Sequence, residues 1–385
     1  MRIACVHQGY ELYGSDRCFV ETVRGLRAAF PTATIDVVLP RPGPIVEALA
    51  DAASTVVFER LWVLRRRGFA RLATLGLLRL PGAVLRAARR FAVSDLVYVN
   101  TTVVADHLLA ARLLPGRAIL HAHEIPEGAT RAVLRALMLW SGAEIVFNSC
   151  ATRDAFALPP GRRASVIYNG IAGPAAPEPA SYDGARPLRL LMLGRISRIK
   201  GQDVLLDALD ALPDPLRARI EVRIVGSPFE DAGRERALAA RAAGLRGTAG
   251  IAVLPFTDDP AAQYRWADVV VVPSRLPESL GRVAIEAMAY ARPALVSGIG
   301  GLVEVVADAV TGWVVPPDDA PALSAALGRI VEAPAAWRDY GAAARRRYEA
   351  LFSEAAAADA IAAVVARRTR AAPLPPTAAG VGVHP

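Results

Sequence analysis

Short apolar runs alternate with helical patterns along this chain, and that alternation limits its fold more than any other feature. Ile3–Val6 reads as a strand, followed by a helix from about Asp16 to Ala29 and a second strand at Ile35–Leu39. Leu96–Asn100, Ala118–His121, Glu144–Phe147 and Ser165–Ile167 continue the strand series. Strands separated by helices build βαβ units on a parallel sheet. From Ala172 to Pro187 the chain becomes rich in proline, alanine and glycine, a linker composition. Alternation then restarts at Leu188–Leu193, Ile220–Val225, Ile251–Leu254, Val269–Val272 and Ala294–Ser297. At 385 residues the chain also exceeds what one hydrophobic core serves. The expected architecture is α/β, with two doubly wound, Rossmann-like parallel-sheet domains facing a cleft. Residues 1–172 form the first domain, 173–187 the linker and 188–370 the second. The last helix is free to pack back on the first domain, and 371–385 is expected to be a disordered tail.

Bulk composition narrows the setting. Apolar residues make up 53% of the chain, yet no uncharged apolar run reaches the roughly 18 residues that span a bilayer. Met1–Val6 reads as a strand at once and lacks the apolar stretch of a signal peptide. Cys5, Cys18 and Cys150 are scattered without metal spacing, as expected of thiols in a reducing cytosol. The net charge of +8 sits in the first half: residues 1–173 hold 21 arginines against 13 acids, and the remainder is balanced. Leu61–Ser94 alone holds Arg65, Arg66, Arg67, Arg71, Arg79, Arg86, Arg89 and Arg90 without one acid, interleaved with leucines. That is the composition of a basic amphipathic surface able to lie on anionic lipid, which suggests a peripheral place on the inner face of the cell membrane. Ordinary helices with arginine outside remain the competing reading. Nucleic acid is disfavoured, because no aromatic stacking platform accompanies the arginines.

Only one of the 45 cationic side chains is a lysine. Lys200 follows an apolar strand ending at Gly194 and precedes a helical pattern beginning after Gly201, so Arg195 and Lys200 share a strand-to-helix loop. Open α/β sheets bind ligands at such carboxyl ends. The arginine fork and the mobile ammonium together suit a diphosphate. A second segment, Pro273 to Ala289, places Glu278 on a loop after a strand and Glu286 on a helix starting near Gly281. Backbone N–H groups around Leu280 to Arg282 can bind an anion, while two acceptor-only carboxylates match hydroxyl groups. Phosphate and hydroxyl recognition side by side describe a nucleotide-sugar site.

With these motifs the chain resembles the retaining GT-B glycosyltransferases of family 4, the glycosyl transferases group 1. The resemblance rests on Gly194-Arg195 with Lys200-Gly201 and on Glu278 and Glu286 with seven residues between them. It also rests on Val166–Ile171, Ile224-Val225-Gly226 and Gly298–Gly301 with Glu304 ahead of Thr311-Gly312. It is strongest from 165 to 317. The first half departs from the pattern, with Tyr13-Gly14-Ser15-Asp16 where many members have a double glycine. The resemblance implies a nucleoside-diphosphate sugar as donor and a glycan or lipid-linked hydroxyl as acceptor. Arg195 and Lys200 would hold the leaving diphosphate, Glu278 the transferred sugar and Glu286 the ribose. Gly14, Gly194, Gly226, Leu280 and Gly281 would complete the donor site, with Gly14 on the first strand-to-helix loop, and the base would meet backbone around Gly226–Pro228 and Leu254–Phe256.

Histidines at 121 and 123 follow a strand, on one face of the chain. His123, before Glu124, resembles the family's histidine beside the reactive sugar and is taken as catalytic. His121, Ser15 and Asn100 are placed on the acceptor side, while His7 and His107 read as structural. The resemblance implies a front-face reaction that needs no cofactor and no metal; no Asp-x-Asp pattern is present, and two histidines without a third ligand fall short of a zinc site. Two other functions share these features: a nucleotide-sugar epimerase on the same fold, and a non-catalytic scaffold in polysaccharide assembly.

Overall fold

A computed structural model describes residues 1–12, 14–64, 76–162, 164–228 and 232–371. Within them the chain divides into two compact units. The first comprises Met1–Val146, Leu158–Ile167 and the chain from Ala358; the second comprises Phe147–Ala157 and Tyr168–Ala357.

The first unit is built on β1 (Arg2–Val6), β2 (Thr34–Leu39), β3 (Thr55–Phe58), β4 (Leu96–Asn100), β5 (Ala118–Ala122), β6 (Glu144–Phe147) and β7 (Ser165–Val166). They lie in the order β3-β2-β1-β4-β5-β6-β7. β1 runs parallel to both neighbours, with Cys5 opposite Val37 on one side and Tyr98 on the other. Strand order therefore reverses between β1 and β4, and the carboxyl ends of β1, β4 and β5 stand side by side there. Helix Gly14–Ala29 buries Phe19, Val20, Val23 and Leu26 against this sheet. The final helix, Glu354–Ala371, adds Ile361, Val364 and Val365 to the same core.

The second unit carries β8 (Leu188–Leu193), β9 (Ile220–Val225), β10 (Gly250–Leu254), β11 (Val269–Val272), β12 (Ala294–Ser297) and β13 (Gly312–Val315) in the order β10-β9-β8-β11-β12-β13. Alternate residues of each strand enter different cores. Leu190, Met192, Val222, Ile224, Val269 and Val271 face one layer of helices. Leu191, Val225, Val270, Val272, Ala294 and Val296 face the other. Both faces are covered, which is why these strands read as unbroken apolar runs. Each fully buried aliphatic side chain contributes roughly 1.5–3 kcal/mol.

Several elements differ from the sequence expectation. β3 and β13 are additional four-residue strands at sheet edges, each pairing on one side only. Each is too short for a clear periodic signal, and the neighbouring strand edge supplies the order. The segment from 172 to 187 contains no helix or strand, yet it is fastened to the second unit. Tyr182 stacks on Trp337, and Arg186 makes a bidentate pair with Asp268 at 2.6 and 2.7 Å.

Of the arginine-rich stretch, Arg65, Arg66, Arg67 and Arg71 lie outside the described residues, as does the tail beyond Ala371. Helix Leu77–Val93 is described. It buries only Ala83, Ala87 and Phe91, while Leu77, Leu78, Leu85 and Val93 stay exposed. Among the described residues no helix is long and apolar enough to cross a membrane.

Candidate functional site

In the second unit strand order reverses between β8 and β11, and the loops leaving these two strands carry the expected residues. The first, Gly194–Gly201, opens helix Gln202–Asp210; the second, Pro273–Gly281, opens helix Arg282–Ala289. Buried Gln202 shapes the first loop by donating to the Arg195 carbonyl at 2.9 Å and accepting from the Ser197 amide at 3.4 Å. Arg195 itself is exposed at the loop's start. Gly226, at the end of β9, packs so closely on the Gly194 carbonyl that a Cβ there would stand 2.0 Å from it.

The two loops meet through chemistry as well as packing. Lys200 Nζ lies 2.7 Å from Glu278 Oε1, with both side chains mostly shielded. Ser274 donates its hydroxyl proton to the same Oε1. Both partners thus use one oxygen, and Oε2 keeps its lone pairs for a further donor. Glu286 belongs to a separate cluster one turn into the helix. Its Oε2 accepts from buried Tyr264 at 2.6 Å and its Oε1 from Arg282 at 2.7 Å. Burial, then the neighbouring Glu286 carboxylate, pushes the Tyr264 phenol well above its usual range, so it stays a proton donor. Gly281 caps this helix in a left-handed conformation, with Leu280 buried beneath it against Leu302.

Glu304 has a structural task the motif did not reveal. Its carboxylate accepts from the amides of Cys150 and Ala151, both at 2.7 Å, and from the Tyr168 hydroxyl at 3.2 Å. It holds Phe147–Ala157 onto the second unit.

In the first unit the expected histidines sit at the carboxyl end of β5, beside Asn100 at the end of β4. His123 Nε2 lies 2.9 Å from Asn100 Oδ1, and the His121 and His123 rings are 4.1 Å apart. His121 also contacts the Tyr98 hydroxyl through Nδ1. Burial lowers His121 to about 3. Burial, and the neighbouring His121 and His7 rings, hold His123 well below the ordinary imidazole range. Both rings are therefore neutral near pH 7. Glu124 braces the adjoining turn, accepting from Thr101, from Thr102 and from the His123 amide. Thr101 is held at φ 142°, an uncommon backbone for a residue with a side chain.

One sequence expectation needs correction here. Gly14 does not sit on the loop after β1; it is the first residue of helix Gly14–Ala29. A Cβ built there meets nothing within 4 Å, so no close approach within this unit requires glycine at position 14. His7, read as structural, is buried within a hydrogen-bonded cluster. It contacts Asp16 Oδ1 at 2.8 Å through Nε2 and Asn100 at 3.0 Å through Nδ1. Asp16, overlooked in the sequence, takes part in this cluster, and Ser15 donates to it at 3.4 Å. His107 pairs with its neighbour Asp106 at 3.0 Å, apart from these groups.

Comparison with known proteins agrees with this arrangement. Residues 184–347 match the family model described as Glycosyl transferases group 1. Over 175 residues the chain is 39% identical to the D-inositol 3-phosphate glycosyltransferase of Geodermatophilus obscurus, covering 43% of this chain and 37% of that protein. The corresponding protein of Nocardiopsis dassonvillei is 40% identical over 155 residues, covering 39% and 36%. These matches span little more than a third of the relatives' length. Among solved structures, Anabaena HepE in complex with UDP superposes with a TM-score of 0.76 at 21% identity, over 95% of this chain and 100% of that one. Sucrose-phosphate synthase from Thermosynechococcus elongatus gives 0.72 at 22% identity, over 97% and 100%. These likenesses establish the GT-B fold. The stretch that matches the glycosyl transferases group 1 model, residues 184–347, carries Arg195, Lys200, Glu278 and Glu286.

Proposed function

We propose that this protein is a glycosyltransferase, moving a sugar from a nucleoside-diphosphate sugar to a hydroxyl acceptor with retention of configuration and without a metal ion. The observation that carries this reading is the Lys200–Glu278 pair at the strand-order reversal of the second unit. It sets a cation for phosphate beside an acceptor for sugar hydroxyls. Names of the relatives, and the UDP held by HepE, point the same way.

In the proposed reaction the bond from the anomeric carbon to the diphosphate breaks as the acceptor oxygen bonds to that carbon on the same face. The acceptor's proton passes to a diphosphate oxygen. Charge grows on the diphosphate as it leaves, and Arg195, Lys200 and the start of helix Arg282–Ala289 stabilise it there. Glu278 Oε2 accepts from a hydroxyl of the transferred sugar, Glu286 from the ribose, and His123 from a substrate hydroxyl. The acceptor is a glycan or a lipid-linked alcohol. The exposed leucines and arginines of helix Leu77–Val93 favour one presented at an anionic membrane surface.

A thermal-shift panel of UDP, GDP, ADP and their sugars identifies the donor, since a ligand at 100 times its Kd adds about 2.7 kcal/mol of stability. Nucleoside diphosphate should then be released only with donor and acceptor together. Product without any acceptor would indicate an epimerase. Lys200→Ala should lower turnover by about 10²–10³-fold, the effect of removing one group aimed at developing charge. A well-folded Lys200→Ala protein with wild-type turnover would sink the proposal.

A further inference from the structure

The first unit holds a chain of hydrogen bonds from Asp16 through His7 and Asn100 to His123, of which the reaction above uses His123 alone; its members lie on helix Gly14–Ala29 and at the ends of β1, β4 and β5. Asp16, His7 and Asn100 are each no more than 4% exposed. The proton positions along it follow from one end. A carboxylate only accepts, so His7 Nε2, 2.8 Å from Asp16 Oδ1, must carry its proton. His7 Nδ1 lies 3.0 Å from Asn100 Nδ2 and 3.4 Å from the Asn100 carbonyl oxygen, so the nearer side-chain amide donates and Nδ1 accepts. That orientation leaves Asn100 Oδ1 facing His123 Nε2, at 2.9 Å. An amide oxygen also only accepts, so His123 carries its proton on Nε2.

The geometry points to Asp16 and His7 as positioning residues that act through Asn100 to hold His123 in its Nε2–H tautomer, leaving Nδ1 as the acceptor for a substrate hydroxyl. This rests on the transferase reading, in which His123 meets such a hydroxyl. The surroundings maintain the chain's register. Phe19 stacks on His7 with centroids 4.6 Å apart and planes 14° apart. Gly9 lies directly over the first hydrogen bond: a Cβ there would stand 1.9 Å from Asp16 Oδ1 and 2.7 Å from His7 Nε2. Any larger residue would drive the pair apart. Because burial and the neighbouring imidazoles keep His123 neutral, its Nδ1 lone pair is available near neutral pH.

The test reads tautomers directly, by nitrogen NMR of the full-length protein labelled with ¹⁵N-histidine, with His123→Gln to assign the signals. Wild-type His123 should show a single Nε2–H form. Asp16→Asn is nearly isosteric but can donate as well as accept, so the whole chain can reverse and His123 should become a mixture of both tautomers. An even mixture leaves about half the enzyme competent and should roughly halve kcat, with the donor KM unchanged. Adding Asn100→Asp to that variant puts an acceptor-only group beside His123 and should restore the single Nε2–H form. A single Nε2–H tautomer in Asp16→Asn, or failure of the second substitution to restore it, would overturn the inference. A shifted tautomer with unchanged kcat would overturn the part assigned to Nδ1. If the wild-type protein transfers no sugar, the transferase reading fails while the tautomer measurement still decides the relay.

Discussion

Replacing Gly201 by alanine tests how the second unit holds its two ligand loops together. Gly201 caps helix Gln202–Asp210 at φ 74°, a conformation that costs an L-residue about 1–2 kcal/mol. Its added Cβ would also stand 2.0 Å from the carbonyl oxygen of Pro273, on the opposite loop. Carbon and oxygen settle no closer than about 3.3 Å, so one loop must retreat by more than about 1 Å. Forcing extra atoms into a packed site adds roughly 1–3 kcal/mol. The expected destabilisation is therefore about 2–5 kcal/mol, read as a fall in the urea midpoint. The same retreat draws Lys200, one residue away, off Glu278. A misplacement of about 1 Å can cost around 10²-fold in turnover, so activity should fall even where the protein remains folded. Gly244→Ala serves as the control. Nothing lies within 4 Å of its Cβ position, and it should be neutral or slightly stabilising. A wild-type midpoint and wild-type nucleotide affinity for Gly201→Ala would refute the contact between the loops.

Three further outcomes follow from the geometry. Glu286→Gln should weaken donor binding by about 1.5–3 kcal/mol with little change in kcat, because ribose contacts are alike in ground and transition states; reduced kcat at unchanged donor affinity contradicts that role. Buried His121 titrates at about 3 against 6.5 in the unfolded chain, so acid protonates the unfolded chain first and its share of stability is lost as pH falls from 6.5 toward 3. Wild-type unfolding free energy should include a slope of about 1.4 kcal/mol per pH unit that His121→Gln lacks, and equal slopes between pH 6.5 and 5 would argue against a neutral buried ring. Replacing exposed Arg86 and Arg89 with Gln should weaken binding to anionic vesicles by about 2 kcal/mol, more at low salt than high, whereas equal binding to neutral and anionic vesicles would favour a soluble acceptor.

The two units differ in how much their sequences reveal, and the cause is the distance over which each site is assembled. Lys200 and Glu278 each sit inside a short strand–loop–helix window, where an apolar run, a glycine and a helical pattern mark the loop without knowledge of the rest of the fold. Strands β8 to β12 of the second unit were legible for a related reason: both faces are buried, so apolar residues run without a break. β3 and β13 were not legible, because a four-residue edge strand takes its order from the neighbour it pairs with. Glu304 shows the limit of motif reading. Its identity fits the family pattern, yet its partners Cys150 and Ala151 lie more than 150 residues away and nothing local announces them.

The histidine chain of the first unit is the extreme case. His7 and Asn100 are 93 residues apart and Asn100 and His123 are 23 apart, so no window contains the hydrogen bonds that join them. Read by residue type, His7 is a lone histidine near the start of the chain. Read by position, it is the residue after β1, Asn100 closes β4, and His123 follows β5 by one residue. Parallel pairing of adjacent strands then aligns their carboxyl ends beside the strand-order reversal, where an open α/β sheet gathers its polar groups. The same rule, applied to the second unit, finds Gly194 after β8, Gly226 after β9 and the Glu278 loop after β11. In a doubly wound sheet, the place of a residue relative to its strand end therefore carries information that its chemical type does not. Asp16 escapes even this rule, because it reaches the chain from a helix, and only the distance to His7 reveals it.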